Sequence, residues 1–144
     1  MPTTLTIPEV LDKISRSSNR EEVIHGLRAN SSLALKQLLR YAYFDSSKWY
    51  RNDLPPFTPD ASPEGLSVST LFGEVKRLYV FKESYNLPRE RKDILLIQIL
   101  ESVHPDEARM IGDLLSGKFA SNYLKIDRNT IQEAFPDIMD AVAS

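Results

Sequence analysis

Side chains able to grip an anion gather at a few places in this 144-residue sequence. Lys48, Trp49, Tyr50 and Arg51 interleave two cations with two aromatics, a mixture that suits phosphate contact combined with stacking. The same aromatics could instead cover the edge of a core. Lys36 and Arg40 stand four apart on one helix face, where like charges repel by about a few tenths of a kcal/mol. An anion across both would relieve that repulsion, as would plain hydration. Ser116, Gly117 and Lys118, followed by Ser121 and Asn122, form a glycine-containing turn. Its N–H groups could hold a phosphate ahead of a helical segment, or the turn could do no more than stop a helix at Gly117.

Groups arranged for catalysis are scarce. No glycine-rich phosphate loop, G-x-S-x-G elbow or H-E-x-x-H helix occurs. Cysteine is absent, which excludes disulfides, thiolate-held zinc, iron–sulfur clusters and thiol catalysis. His25 and His104 lie far apart, so no histidine metal site is expected and helix-end or surface roles fit them better. The acidic pairs Glu21/Glu22 and Asp106/Glu107 suit the positive ends of helices. Lys125-Ile126-Asp127 resembles the K-x-D-G nucleophile motif of nucleotidyltransferases. Arg128 replaces the glycine, however, and only 16 residues follow it, so no nucleotide-binding sheet is expected. The expectation is a protein with no enzymatic activity, cofactor or metal.

The elements that must position these residues read as helices. Thr6, Pro8 and Glu9 have the order of a capping box with an early proline, and Ile7, Val10, Leu11 and Ile14 recur at helical spacing. Asn19 starts a second helix reaching about Ala29. After Asn30, Ser31 and Ser32 a third carries the stripe Leu35, Leu38, Leu39 and Ala42 to about Tyr43. Residues 45–66 break the pattern: Pro55, Pro56, Pro59 and Pro63 forbid a continuous helix or central strand. That stretch is expected to be a long surface connection carrying Trp49, Tyr50 and Phe57, of a length that in compact domains is functional or poorly ordered.

From Ser69 to about Glu83 the spacing predicts a helix with Leu71, Phe72, Val75, Leu78 and Tyr79 on one face. A buried helix should follow Pro88, with Ile94 to Leu100 as its core. Pro105 opens another, with Ala108, Ile111, Leu114 and Leu115 inward. Helices over 129–135 and 136–142 close the chain. No Asn-Gly, Asp-Gly or Gly-Gly pair signals a hairpin. The expected fold is all-α: one compact domain over residues 1–144, of about seven to eight helices.

Composition agrees with a globular chain, 42 % hydrophobic and 26 % charged. The net charge of −2 advertises neither nucleic acid nor membrane. Its distribution is uneven: residues 36–92 hold ten basic and seven acidic side chains, residues 93–144 four and nine. Charge-patterning alone would read these as solvated helix faces. The first seven residues lack a signal-peptide pattern, and no apolar run approaches the roughly 20 residues of a membrane span. A cytoplasmic protein is expected.

The stretch over residues 33–56, LALKQLLRYAYFDSSKWYRNDLPP, resembles the early part of the helical N-terminal domain of bacteriophage ATP-dependent DNA ligases. There a helix with a terminal aromatic is followed by paired aromatics, basic residues and proline. Residues 108–135 resemble the end of the same domain across the wider ligase group: an arginine-led helix, a short glycine turn and a T-I-x-x-x-F helix, matched by Thr130, Ile131 and Phe135. Asp127 stands where glycine is typical, and the catalytic domain that follows in ligases is not in this sequence. The resemblance spans about residues 22–138. It implies a stand-alone helical module of phage origin, in the host cytoplasm, that grips duplex DNA. Lys36, Arg40, Lys48, Arg51, Lys118, Ser121 and Lys125 are the expected phosphate contacts. The alternative is an adaptor on the same scaffold, capturing a host or phage replication or transcription protein with Trp49, Tyr50 and Phe57.

Overall fold

Local signals set most helix boundaries in the computed structural model, which describes residues 5–62 and 67–138. Helix α1 (Ile7–Ser15) starts under Thr6, whose hydroxyl accepts the Glu9 N–H at 3.3 Å while the Glu9 carboxylate accepts the Thr6 N–H at 3.0 Å. A cap of this kind contributes about 1 kcal/mol. Asn19 and Ser32 cap α2 (Arg20–Ala29) and α3 (Leu33–Tyr43) one way only, their side-chain oxygens accepting the Glu22 and Leu35 N–H groups. After the long connection come α4 (Leu71–Glu74), a 3₁₀ helix (Val75–Phe81), α5 (Arg89–Ser102), α6 (Pro105–Ser116), α7 (Phe119–Asn122) and α8 (Arg128–Ala134). His104 caps α6 through Nδ1, which accepts the Asp106 N–H at 3.1 Å. Asp127 caps α8, accepting the Thr130 N–H at 2.8 Å. The aspartate of the K-x-D triplet is therefore a helix cap. The chain is all-α; among the described residues, β-type pairing is confined to one bridge between Trp49 and Lys82.

Helix α3 lies at the centre, with Leu35, Leu38 and Leu39 sealed from water. It packs on α4, the 3₁₀ helix and α7, while α6 touches α1, α5 and α7, and α2 runs along α8. Arg28 ties that last pair by donating to the Glu133 carbonyl at 2.7 Å, at the helix end where unpaired carbonyls favour a cation. Thr130, Ile131 and Phe135 are all buried.

Three expectations change. The helix expected from Ser69 to Glu83 becomes one α turn and a 3₁₀ helix. At three residues per turn the buried set becomes Val75, Leu78 and Phe81, and Tyr79 faces out. Helix α5 exists but buries one face only: Lys92, Leu96, Ile99 and Leu100 turn inward, leaving Ile94 half exposed. The connection is strapped down along 45–62. Tyr50 reaches α5, Leu54 lies over Gly112 of α6, and the Thr58 N–H donates to Glu101 at 2.8 Å. A Cβ on Gly112 would come within 3.0 Å of Leu54 Cδ1, so glycine permits that approach. Of the helix expected over 136–142, residues 139–142 lie outside the described residues, as do residues 63–66 of the connection.

Candidate functional site

At the end of α3 the chain turns outward and is caught at Asp45, whose carboxylate accepts the Ser47 N–H at 2.9 Å and hydroxyl at 2.6 Å. Residues 48–50 then run beside 81–83, with the Tyr50 N–H on the Phe81 carbonyl and the Glu83 N–H on the Lys48 carbonyl, both at 2.8 Å. Trp49 thereby stands edge-on to Tyr41, ring centroids 5.3 Å apart. The Lys82 ammonium sits 4.0 Å from the Trp49 ring centroid, an attraction to the π face that strengthens with desolvation. Lys82 is buried and held by Asp45 at 3.1 Å and the Ser47 carbonyl at 3.2 Å. Burial pushes its ammonium below the usual value, against the pull of Asp45. Burial would raise Asp45 in turn, but hydrogen bonds from Ser47 and Lys82 hold it below the ordinary carboxylate range. One layer deeper, Lys92 donates to the Lys82 carbonyl at 2.7 Å.

A second knot fixes the other end of the segment. The Tyr50 hydroxyl donates to Asp93 at 2.6 Å, and Arg51 bridges Asp93 at 3.1 Å and Asp53 at 3.0 Å. The Tyr50 hydrogen bond, with Arg51 beside it, lowers the Asp93 pKa despite burial. Burial and that same bond raise the Tyr50 phenol. Arg89 donates to the Tyr50 carbonyl at 3.1 Å with its guanidinium 5.4 Å from the Tyr50 ring centroid. Tyr50, Arg51, Asp53 and Arg89, with residues 114–117 at the end of α6 and Phe119, line a cleft of about 630 Å³.

The structure thus brings Lys48, Trp49, Tyr50 and Arg51 to the same cleft as Ser116 and Gly117. Lys48 and Arg89 are exposed there, and Lys118 is exposed just beyond Gly117. Of the two readings of Ser116–Lys118, the structure has the helix stop. Gly117 has φ +79°, its N–H goes to the Leu114 carbonyl, and the Lys118 N–H goes to Asp113. This is the left-handed closure of a helix end, and it uses the N–H groups a phosphate would need.

Most of the other expected contacts bond within the protein, although Lys125 and Ser121 stay exposed. Arg51 is spent on two carboxylates. Lys36 pairs with Asp137 at 3.4 Å and lies over Phe135, so its anion is internal. The Lys125 ammonium donates to the Ser17 carbonyl and the Ser121 hydroxyl to the Lys118 carbonyl. Arg40 is half-buried, with its Nε out of reach of water and of any hydrogen-bond acceptor. Trp49, Tyr50 and Phe57 are likewise half-buried and packed against the core, not projecting from it.

Sequence reasoning missed Arg89, Lys82 and Lys92. Arg89 stands in the first turn of α5, and nothing local marks its reach to the Tyr50 carbonyl. Lys92 carried a signal, since it falls on the same helical stripe as Leu96, Ile99 and Leu100. Among the described residues no group of three or more His, Asp or Glu could hold a metal ion. No helix among them is long and apolar enough to cross a membrane.

A family of unknown function, DUF6433, matches residues 10–120, and the chain belongs to it. The matched span contains every residue that lines the cleft and stops before α8. No curated protein matches the sequence.

Proposed function

We propose that this DUF6433 member is a non-catalytic module, of phage origin as the ligase resemblance implies, that holds duplex DNA by its phosphates at the rim of the cleft. One observation carries the reading: Lys48 and Arg89 stand exposed at the cleft that the end of α6 completes, with Lys118 next to it. Phosphates would meet these three cations, while Arg51, Lys82 and Asp93 hold the segment that presents Lys48. Backbone contacts of this kind position a protein on DNA without reading bases, so little sequence preference is expected.

The adaptor reading has its own support, because Asp45 and Asp53 share the cleft lining with Lys48, Arg51 and Arg89. Mixed charge suits a protein partner better than a polyanion. Fluorescence anisotropy with a labelled duplex at low salt separates the two. Lys48→Glu with Arg89→Glu should weaken binding about tenfold or more, since each lost phosphate contact carries part of the affinity. Arg109→Glu should leave it unchanged, because Arg109 pairs with Asp106 away from the cleft. Absence of duplex binding, with nuclease-resistant recovery of one protein in a pull-down, would select the adaptor.

A further inference from the structure

A second concave surface, between the 3₁₀ helix and α5, differs in character. Tyr79, Val80, Leu95 and Ile99 supply apolar walls to a groove of about 480 Å³, with Glu74 and Arg77 also in its lining. Glu74 is only 8 % exposed. One of its carboxylate oxygens accepts the Ser69 hydroxyl at 2.5 Å. The other, Oε1, is buried without any hydrogen bond. Its nearest cation is Arg77, which approaches to 3.5 Å from a side chain 65 % exposed. A desolvated carboxylate oxygen lacking a donor is costly, by about 1–3 kcal/mol or more for a charged group, and buried polar atoms are otherwise almost always satisfied.

We infer that this groove is a docking site for a basic side chain, arginine foremost, from a partner protein. The methylene stem would lie along Val80, Leu95 and Ile99, as the stems of long cationic side chains lie on apolar surface. The guanidinium would supply the donor that Glu74 Oε1 lacks, and a charge-assisted bond at such a site is among the stronger ones available. Arg77, mostly in water, loses little by swinging away. An uncharged apolar side chain would fill the walls and leave Oε1 unanswered, so the site selects for charge as well as length. The inference stands apart from the phosphate-binding reading: it uses a different surface and the opposite sign of charge.

The test is a titration of the full chain with acetyl-arginine amide and acetyl-norleucine amide, followed by amide NMR shifts. Shifts should centre on Val80, Leu95 and Ile99, with arginine binding in the millimolar range and norleucine about tenfold more weakly. Glu74→Gln keeps the size and the Ser69 contact and should abolish that preference. Arg77→Ala, at an exposed position, should strengthen arginine binding severalfold by removing the competing cation. Absence of saturable shifts in both the wild type and Arg77→Ala would overturn the proposal. So would a Glu74→Gln protein that still prefers arginine, or weaker arginine binding by Arg77→Ala.

Discussion

Beneath the aromatic cleft, Lys82 and Lys92 are withdrawn from water, yet a carbonyl accepts from each, and Lys82 adds a carboxylate and two aromatic faces. In the groove beside the 3₁₀ helix, Glu74 is withdrawn to a similar degree, with one oxygen that accepts no hydrogen bond and has only the exposed Arg77 near it. The first arrangement is closed. Its buried charges hold chain segments together and leave only rim cations for a ligand. The second is less complete, and the hydrogen bond left unmade says what kind of group could compete with Arg77 there. A buried charge whose hydrogen bonds are all made internally holds the fold together, whereas one with a hydrogen bond unmade can still take a partner.

Substitutions on the two surfaces should therefore differ sharply. Asp45→Ala strips Lys82 of its counter-charge while burial remains. Breaking one side of a buried pair typically costs about 3–5 kcal/mol; the Ser47 carbonyl and the aromatic faces should hold the loss near the low end, read by denaturant unfolding. Trp49→Ala should cost about 2–3 kcal/mol, below the range for a fully buried tryptophan, because the ring is only half covered. Melting within a degree of wild type would mean that the aromatic stack does not anchor the segment. Gly112→Ala should cost about 1 kcal/mol, because Leu54 must give way to the new methyl. Glu74→Gln should change stability by no more than about 0.5 kcal/mol, since it relieves a desolvated charge while keeping the shape. A loss as large as that of Asp45→Ala would erase the distinction between the two surfaces.

Acid sharpens the same contrast. Asp45 and Asp93 are held below the ordinary aspartate value of 3.8 in the folded protein. Each therefore contributes stability that is complete above that value and drains away as pH falls through the lower folded one. Glu107 works in the opposite sense. Burial raises it above 4.5, so it costs stability as pH rises through its folded value. Denaturant melts should show the cleft-side stability falling away at pH below 3.8, and Asp93→Asn should flatten that decline.

What the sequence disclosed follows the range of the interactions. Caps such as Thr6 with Glu9, and stops such as Gly117, act within a few residues and could be read directly. The 3₁₀ segment could not, because periods of 3.6 and 3.0 separate only after two turns, and Tyr79 lay on the wrong side of that difference. The candidate site was half legible. Its aromatics and cations at 48–51 stand adjacent in sequence, and the glycine turn that meets them is conspicuous. What decides their roles comes from afar: Arg51 is answered by Asp93, Lys36 by Asp137 and Lys125 by Ser17. No local pattern announces a carboxylate or carbonyl brought in from another element. A cation read as available for phosphate is neutralised internally where the fold delivers a carboxylate to it, as at Arg51 and Lys36.

The central claim, that rim cations of the cleft hold DNA by its phosphates, is tested most directly by the salt dependence of duplex binding. If Lys48, Arg89 and Lys118 each neutralise one phosphate, log affinity against log salt should fall with a slope near −2.7, from about −0.9 per contact. Lys48→Glu with Arg89→Glu should bring that slope to about −0.9 or shallower. Lys36→Glu should leave it unchanged, because Lys36 already faces Asp137. A wild-type protein that binds no duplex even at very low salt, or a slope indifferent to reversal of Lys48 and Arg89, would contradict the account.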